Sequence, residues 1–279
     1  MKLSREELKG LMKNKLVKAG LNEKHADIAA EVMTWSDERG YHSHGAVRVE
    51  YYSERIAKGG ITANPHFTFK ETGPCSGMFD GDNGCGYAAA KEAMDKAIEM
   101  AKKNGIAVIG ISNISHSGSI GYYTEMAAKE DLVAISFCQS DPMAVPPGGT
   151  EPYYGTNPIS FAAPTADDRT VVFDMATTVQ AWGKILDKRS RGESIPDTWA
   201  VDEKGNPVTD PNKVNALLPI AGAKGYGLMM MVDIFSGILT GVPFWQTCQL
   251  HVPRLLQGKR AWTDAHCYGS EPLRRTGDI

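Results

Sequence analysis

Two short apolar runs, each preceded by a helical pattern, constrain the fold more than any other feature of the sequence. Residues 87–104 are rich in Ala, Glu, Met and Lys and predict a helix that ends at Gly105. The run 106–111 then predicts a buried strand. A second predicted helix, 120–129, leads into a second predicted buried strand, 132–138. Helices and strands in alternation indicate an α/β or mixed α+β fold.

Three further helices are predicted before this segment. Ser4 followed by Glu7 predicts a capped helix over residues 4–20. Apolar periodicity predicts a second helix over 23–38, and Gly59-Gly60 ends a third over 47–58. The remaining predicted elements are strands in a meander over 61–82, strands 159–163 and 170–174, and helices 177–187 and 228–239.

Composition excludes several classes of protein. The 279 residues carry a net charge of −3 without a block of five like charges, which argues against nucleic acid or an anionic membrane as partner. No apolar run approaches the ~18 residues of a membrane span. Residues 1–8 predict a capped helix rather than a signal peptide. Five cysteines without CxxC spacing indicate reduced thiols in a cytoplasmic protein.

His42 and His44 form the first candidate site. Their spacing places them on one face of a strand but on different faces of a helix. Such a pair is commonly structural or on the surface. A metal site needs further ligands, and none lies at a recognisable spacing, so we predict no metal.

Three other residues have the chemistry of an acid–base and anion-binding site. Arg48 and Tyr52 are neighbours on a helix, and an Arg fork beside a Tyr hydroxyl suits a carboxylate. The alternative is a solvated Arg packed on a Tyr ring. His116 follows the predicted strand 106–111 in a loop with Ser115 and Ser117, where a histidine can transfer protons near neutral pH.

Glycine-rich segments offer weaker signals. Turns at 148–149 and 222–227 can approach a phosphate, and Lys224 lies at a predicted helix start that favours an anion. Ordinary turns explain most such patterns. Neither segment is a GxGxxG after a strand or a Walker motif, so a conventional Rossmann domain is not predicted.

Taken together, His42-Ser43-His44-Gly45, residues 111–118, Gln139-Ser140-Asp141-Pro142 and Asp174-Met175-Ala176 resemble the malate/L-lactate dehydrogenase family, which lacks the Rossmann fold. The resemblance runs from residue 1 to about Phe244. It implies a mixed α/β, non-Rossmann NAD(P)-binding fold with an N-terminal helical segment. The implied division is a substrate-side region over 1–75, an NAD-binding region over 76–244 and an aberrant tail over 245–279.

The resemblance also implies an activity: NAD-dependent oxidation of a 2-hydroxy acid, with (S)-ureidoglycolate giving oxalurate as the expected reaction. Malate, L-lactate, sulfolactate and diketo-gulonate remain alternative substrates, and NADP is not separated from NAD. A cytoplasmic homodimer or larger homo-oligomer is expected, with its active site in a cleft between domains.

Residue roles follow from the same resemblance. His116 takes the hydroxyl proton, with His44 as the second candidate, while Arg48 and Tyr52 hold the substrate carboxylate. The implied cofactor-binding residues are Ser140, Asp174, Met175, Ala176 and Lys224. A base near pKa 7 beside a fixed cation suits the oxidation of an alcohol next to a carboxylate.

The tail does not continue the resemblance. Residues 245–279 hold two Trp, two Cys and two His with no regular apolar period. Dropping the first base of the Trp245 codon gives a reading that matches the family better, so we predict a shifted frame. We expect the tail to be disordered and the 279-residue product to be unstable or poorly active. Other classes left open are a non-catalytic remnant that still dimerises and a metal-dependent hydrolase using His42, His44 and His116.

Overall fold

The computed structural model describes residues 3–167 and 169–241. Helices and strands both occur along this part of the chain, which confirms the mixed α/β class. The predictions for the tail, residues 245–279, lie outside the described residues.

The chain begins with three helices: α1 (Arg5–Lys18), α2 (Glu23–Glu38) and α3 (Val49–Ala57). The predicted capping box is formed, because Ser4 and Glu7 each bond the other's backbone N–H. Two 3₁₀ turns, His42–His44 and Ala46–Arg48, join α2 to α3. The histidine segment is therefore a tight corner between two helices.

The first sheet has three strands, and a helix connects two of them. Strands β1 (Thr68–Gly73) and β2 (Ser76–Gly84) pair antiparallel, and α4 (Gly86–Asn104) crosses over to β3 (Val108–Ile114), which pairs parallel with β2. The chain leaves this βαβ unit at the end of β3 and continues into the loop that contains His116.

The second sheet is antiparallel throughout. Helix α5 (Gly121–Ala128) precedes β4 (Ala134–Phe137), β5 (Ile159–Pro164) and β6 (Thr170–Met175), which are ordered β4-β5-β6. The remaining elements are α6 (Trp182–Arg191), the short pair β7 (Ala200–Val201) and β8 (Ala216–Leu217), a 3₁₀ turn (Pro211–Lys213), α7 (Ala223–Asp233) and a π-helical turn (Ile234–Ile238).

The prediction of two fully buried strands is wrong. In β3, Val108 is 64% exposed, and in β4, Ile135 is 58% exposed. Successive strand residues point to opposite faces, and α4 and α5 each contact their sheet from one side. The apolar residues on the other face therefore remain exposed within the described part of the chain.

Two helix predictions also needed correction. The predicted helix 177–187 begins only at Trp182, because Thr177 lies in a bend and its backbone bonds to Thr156 and Ile220. The predicted helix 228–239 begins earlier, at Ala223, directly after Gly222 at φ 59°, and widens into the π-helical turn after Asp233.

The largest core cluster joins the N-terminal helices to the βαβ unit. It contains Leu16, Met33, Tyr52, Tyr87 and Tyr123, which come from α1 to α5. Burial of these side chains fixes α3 against the loop that follows β3. Within the described residues, no helix has the length and apolar character needed to cross a membrane.

Candidate active site

Asp37, in the last turn of α2, organises the corner that carries His44 and Arg48. Its carboxylate is hydrogen-bonded to His42 Nδ1 at 2.9 Å and accepts a hydrogen bond from the Ala46 N–H at 2.7 Å. Gly45 passes so close that a Cβ there would lie 2.1 Å from Asp37 Oδ1. Sequence reasoning missed Asp37. The available signal was an acidic residue at a helix end just before a tight polar turn.

The corner separates the two histidines that the sequence pairs. The His42 side chain is 77% exposed and interacts with Asp37. His44 is half-buried, with Nδ1 2.9 Å from Ser43 Oγ, and its ring stacks on His116 with centroids 5.6 Å apart. His44 therefore joins the site, whereas His42 has a structural partner outside it.

His116 is held from the Nδ1 side of its ring. The buried Tyr52 hydroxyl bonds Nδ1, and the Gly118 N–H donates to the same atom at 3.2 Å. His116 as a residue is exposed, so its second ring nitrogen, Nε2, is the one left for a substrate.

The loop around His116 is fixed by its serines. Ser115 Oγ accepts the Gly86 N–H at 2.9 Å, and Ser36 donates from α2 to Ser119 at 3.0 Å. Tyr123 donates to the Ser117 carbonyl. These bonds connect the loop to three helices, so it is preorganised for catalysis.

Arg48 brings a cation to the same place. Its Nε donates to the Ser43 carbonyl at 2.7 Å, and no carboxylate pairs with it among the described residues. Arg48 and Tyr52 lie one turn apart at the start of α3, as predicted. A half-buried guanidinium without an acidic partner is suited to bind a carboxylate ligand.

Both histidines are neutral at pH 7. Desolvation, followed by the charge of Arg48, lowers the pKa of His44 to about 4. Desolvation also lowers the pKa of His116, and the charges of His44, Arg48 and Arg55 act in the same direction. His116 is nevertheless exposed by area, and water at its open side weakens the desolvation. The pKa of His116 is lowered in spite of this, which leaves an accepting nitrogen on the ring.

The three segments predicted to bind the cofactor lie side by side. Ser140 Oγ accepts the Thr156 N–H at 2.9 Å, and the Thr156 carbonyl accepts the Thr177 N–H at 2.9 Å. The Thr177 carbonyl in turn accepts the Ile220 N–H at 2.9 Å. These bonds place Ser140 and the end of β6, with Met175 and Ala176, next to the start of α7.

The side chains at this place fit a dinucleotide. Lys224 is exposed in the first turn of α7 and makes no ion pair within the described residues, so it can meet a phosphate at the helix N-terminus. Asp174 Oδ2 accepts the Gly121 N–H at 2.8 Å, and burial raises the pKa of this carboxyl. In residues 3–167 and 169–241, no group of three or more His, Cys, Asp or Glu is arranged to hold a metal ion.

Comparisons with known proteins show which family the chain is similar to. The family model for malate/L-lactate dehydrogenase matches residues 3–267, which extends past Phe244, where the resemblance was expected to stop. Ureidoglycolate dehydrogenase (NAD(+)) of Escherichia coli O157:H7 is 61% identical over 244 residues, covering 88% of this chain and 70% of the relative. Malate dehydrogenase of Pyrococcus abyssi is 40% identical over 251 residues, which cover 86% of this chain and 69% of the relative.

A solved structure is also similar. Delta1-piperideine-2-carboxylate reductase from Pseudomonas syringae pvar. tomato matches with a TM-score of 0.87 and 30% identity, covering 94% of this chain and 79% of the other. The sequence match, the fold and the grouped residues lead to one conclusion. The chain belongs to the malate/L-lactate dehydrogenase family.

Proposed function

We propose that this protein catalyses the NAD-dependent oxidation of (S)-ureidoglycolate to oxalurate. The observation that carries the proposal is the guanidinium of Arg48, which lacks an acidic partner among the described residues and lies beside two neutral histidines. A substrate with a carboxylate next to a carbinol uses both features at once. The 61% identity to a ureidoglycolate dehydrogenase supports this substrate over the other hydroxy acids.

Each residue has a defined task in this reaction. Arg48 binds the substrate carboxylate through its guanidinium, and the Tyr52 hydroxyl orients His116. His116 accepts the proton of the substrate hydroxyl at Nε2. His44, stacked on His116, is the second candidate for this proton, with Ser43 as its own hydrogen-bond partner.

The nicotinamide, when bound, supplies the acceptor for the hydride that leaves the carbinol carbon. We propose that Ser140, Asp174, Met175, Ala176 and Lys224 hold this cofactor. The similarity to two NAD(+)-dependent ureidoglycolate dehydrogenases supports NAD as its identity. The division into a substrate-side region over 1–75 and an NAD-binding region over 76–244 belongs to the same proposal.

The test is the absorbance of NADH formed from NAD+ by the purified 279-residue chain. (S)-ureidoglycolate, malate, L-lactate and sulfolactate are compared at equal concentration. We expect the highest kcat/KM with (S)-ureidoglycolate. A higher value with malate would assign the protein to the alternative substrate, and turnover lost on chelation of metals would favour a hydrolase-like or metal-dependent site.

Two variants test the residue roles. His116→Ala should lower kcat by roughly 10²–10⁴-fold, the usual contribution of a general base. Arg48→Ala should raise the KM for the hydroxy acid by about 10–100-fold, as expected for a lost charge-assisted bond. Lys58→Ala, which removes a cation from the far end of α3, is the control and should change neither constant.

We also propose a cytoplasmic homodimer or larger homo-oligomer. Cys75, Cys85 and Cys138 are free thiols, which supports a reducing compartment. Light scattering on the purified chain measures the molar mass, and a monomeric mass would contradict this part of the proposal.

A further inference from the structure

Tyr87, near the start of α4, is a fully buried residue with an unusual hydroxyl. The side chain is 1% exposed, and its oxygen has no formed hydrogen bond to any described residue. Buried polar groups are normally satisfied, and one that is not costs free energy. The reaction proposed above assigns this hydroxyl no task.

The Tyr87 ring contacts both groups that hold His116. Its edge meets the Tyr52 ring, with centroids 5.2 Å apart and planes at 78°. On another side it lies against Gly118, where an added Cβ would come within 2.3 Å of Tyr87 Cε1. Tyr52 and Gly118 are the residues that bond His116 Nδ1. Tyr87 therefore supports the back of the catalytic ring.

The two tyrosine hydroxyls are close without a formed bond. Burial raises the pKa of Tyr52, and the Tyr87 hydroxyl opposes this rise as a nearby hydrogen-bonding group. In this structure the two hydroxyl groups are not aligned for a hydrogen bond. A small shift of either ring is enough to form it, because the rings already touch.

His116 needs a partner at Nδ1 that both accepts and donates. The Gly118 N–H only donates, so it favours the tautomer with the proton on Nε2. A ring in that tautomer cannot take a substrate proton at Nε2. To act as the base, His116 must carry its proton on Nδ1 and donate it to the Tyr52 oxygen. The Tyr52 O–H must then turn to another acceptor in the core.

We propose that Tyr87 is a positioning residue that supplies this acceptor and so controls the tautomer of His116 through Tyr52. When Nδ1 is protonated, the Tyr52 O–H donates to the Tyr87 oxygen. When Nε2 is protonated, the Tyr87 O–H donates to the Tyr52 oxygen, and the Tyr52 O–H donates to Nδ1. The two states hold the same number of protons and differ in which nitrogen of His116 is protonated and in the direction of the hydrogen bonds. Only the first state leaves Nε2 free to accept the substrate proton, which gives an imidazolium that still donates from Nδ1 to Tyr52 and returns the proton from Nε2 in the reverse reaction. This inference rests on the proposed role of His116.

The test compares Tyr87→Phe with Thr34→Val in the full 279-residue chain. The control also removes a buried hydroxyl, which donates to the Ala30 carbonyl of its own helix, α2, and not to the His116 loop. Nitrogen-15 NMR of histidine-labelled protein at pH 7 distinguishes protonated from unprotonated ring nitrogens. The His116 signals are assigned by their loss in His116→Asn.

We expect both tautomers of His116 in exchange in the wild type and in Thr34→Val, and only the Nε2–H tautomer in Tyr87→Phe. A Tyr87→Phe spectrum identical to the wild type overturns the proposal. This measurement needs no turnover, so its outcome is separate from the test of the proposed function.

Stability and kinetics give a second readout. Tyr87→Phe loses only the hydrogen bond that alternates in direction with Tyr52, so its Tm should fall no further than that of the control, which also loses one buried hydroxyl. Its kcat for oxidation should fall about tenfold with an unchanged KM, as expected for a less available base. A lowered Tm with an unchanged kcat would show a merely structural role and overturn the proposal.

Discussion

Arg48, His44 and His116 form a group in which desolvation, helped by one fixed cation, keeps two imidazoles neutral. Desolvation lowers the pKa of both rings, and the charge of Arg48 lowers it further. A neutral ring can accept a proton from an alcohol, while an imidazolium cannot. The residue proposed to bind the substrate carboxylate is therefore also one that keeps the proposed base neutral.

Removing this cation should raise the pKa of the histidines. In Arg48→Ala we expect the His44 pKa to move upward from about 4 toward 6.5, because a like charge no longer opposes protonation. NMR titration of the histidine ring protons measures the change. Lys58→Ala removes a more distant cation and is the control. An unmoved His44 pKa in Arg48→Ala would show that desolvation alone sets it.

The lowered pKa of His44 also predicts how stability depends on pH. Below about 6.5 the unfolded chain binds a proton at His44, but the folded chain does not until about pH 4. Stability should therefore fall as pH decreases through this window. We expect His44→Gln to lose about 2 kcal/mol less than the wild type between pH 7 and pH 5. Urea unfolding at the two pH values checks this, and equal losses would contradict it.

At the scale of elements, the corner between α2 and α3 positions the substrate-binding groups. Asp37 at the end of α2 holds the Ala46 backbone, so that Arg48 begins α3 beside His44. The loop after β3 reaches the same place because α3, α4 and α5 share one core cluster. The site is thus assembled from two separate chain segments.

Asp37→Ala should loosen this corner. The variant leaves the Ala46 N–H without its partner, which costs about 1–2 kcal/mol of stability. We expect the KM for the hydroxy acid to rise about tenfold with little change in the KM for NAD+, because the cofactor residues lie on other elements. Steady-state kinetics measure both constants. The neighbouring Glu38→Ala, which loses only an exposed ion pair with Arg5, should behave as the wild type.

At the scale of the whole molecule, Glu125 of α5 connects the N-terminal helices to the second sheet. Its buried carboxylate accepts a hydrogen bond from Trp35 Nε1 of α2 at 2.8 Å and also bonds Arg39, the residue directly after α2. Thr170 at the start of β6 donates to it at 3.2 Å. One charged group is thus shared by three elements that are distant in sequence.

Glu125→Ala should destabilise the whole protein by about 2–3 kcal/mol, because several buried or half-buried donors lose their acceptor together. Glu130→Ala removes a carboxylate from an exposed pair with Lys102 and should cost under about 0.5 kcal/mol. Thermal unfolding of both variants gives the comparison. Similar losses in the two would mean that Glu125 contributes no more than a surface ion pair.

Local pattern was sufficient wherever a residue's neighbours in sequence decide its structure. Ser4 with Glu7 predicted the start of α1, and Gly105 predicted the end of α4, since capping depends on groups within a few residues. The sequence pattern gave a wrong prediction at Thr177, whose backbone bonds to Thr156 and Ile220 rather than forming a helix. It also gave a wrong prediction of burial for Ile135, because burial depends on which elements cover a sheet face.

The sequence by itself determined the family, the helical start and the short list of chemical groups, with His116, His44, Arg48 and Tyr52 among them. Only the tertiary structure decided which of these groups meet. It separated His42 from His44, added Asp37 and Tyr87, and fixed which nitrogen of His116 faces the protein. The physical reason is that residue type and local spacing fix chemistry and helix ends, whereas the approach of Tyr52 to His116 depends on burial of a core shared by five helices.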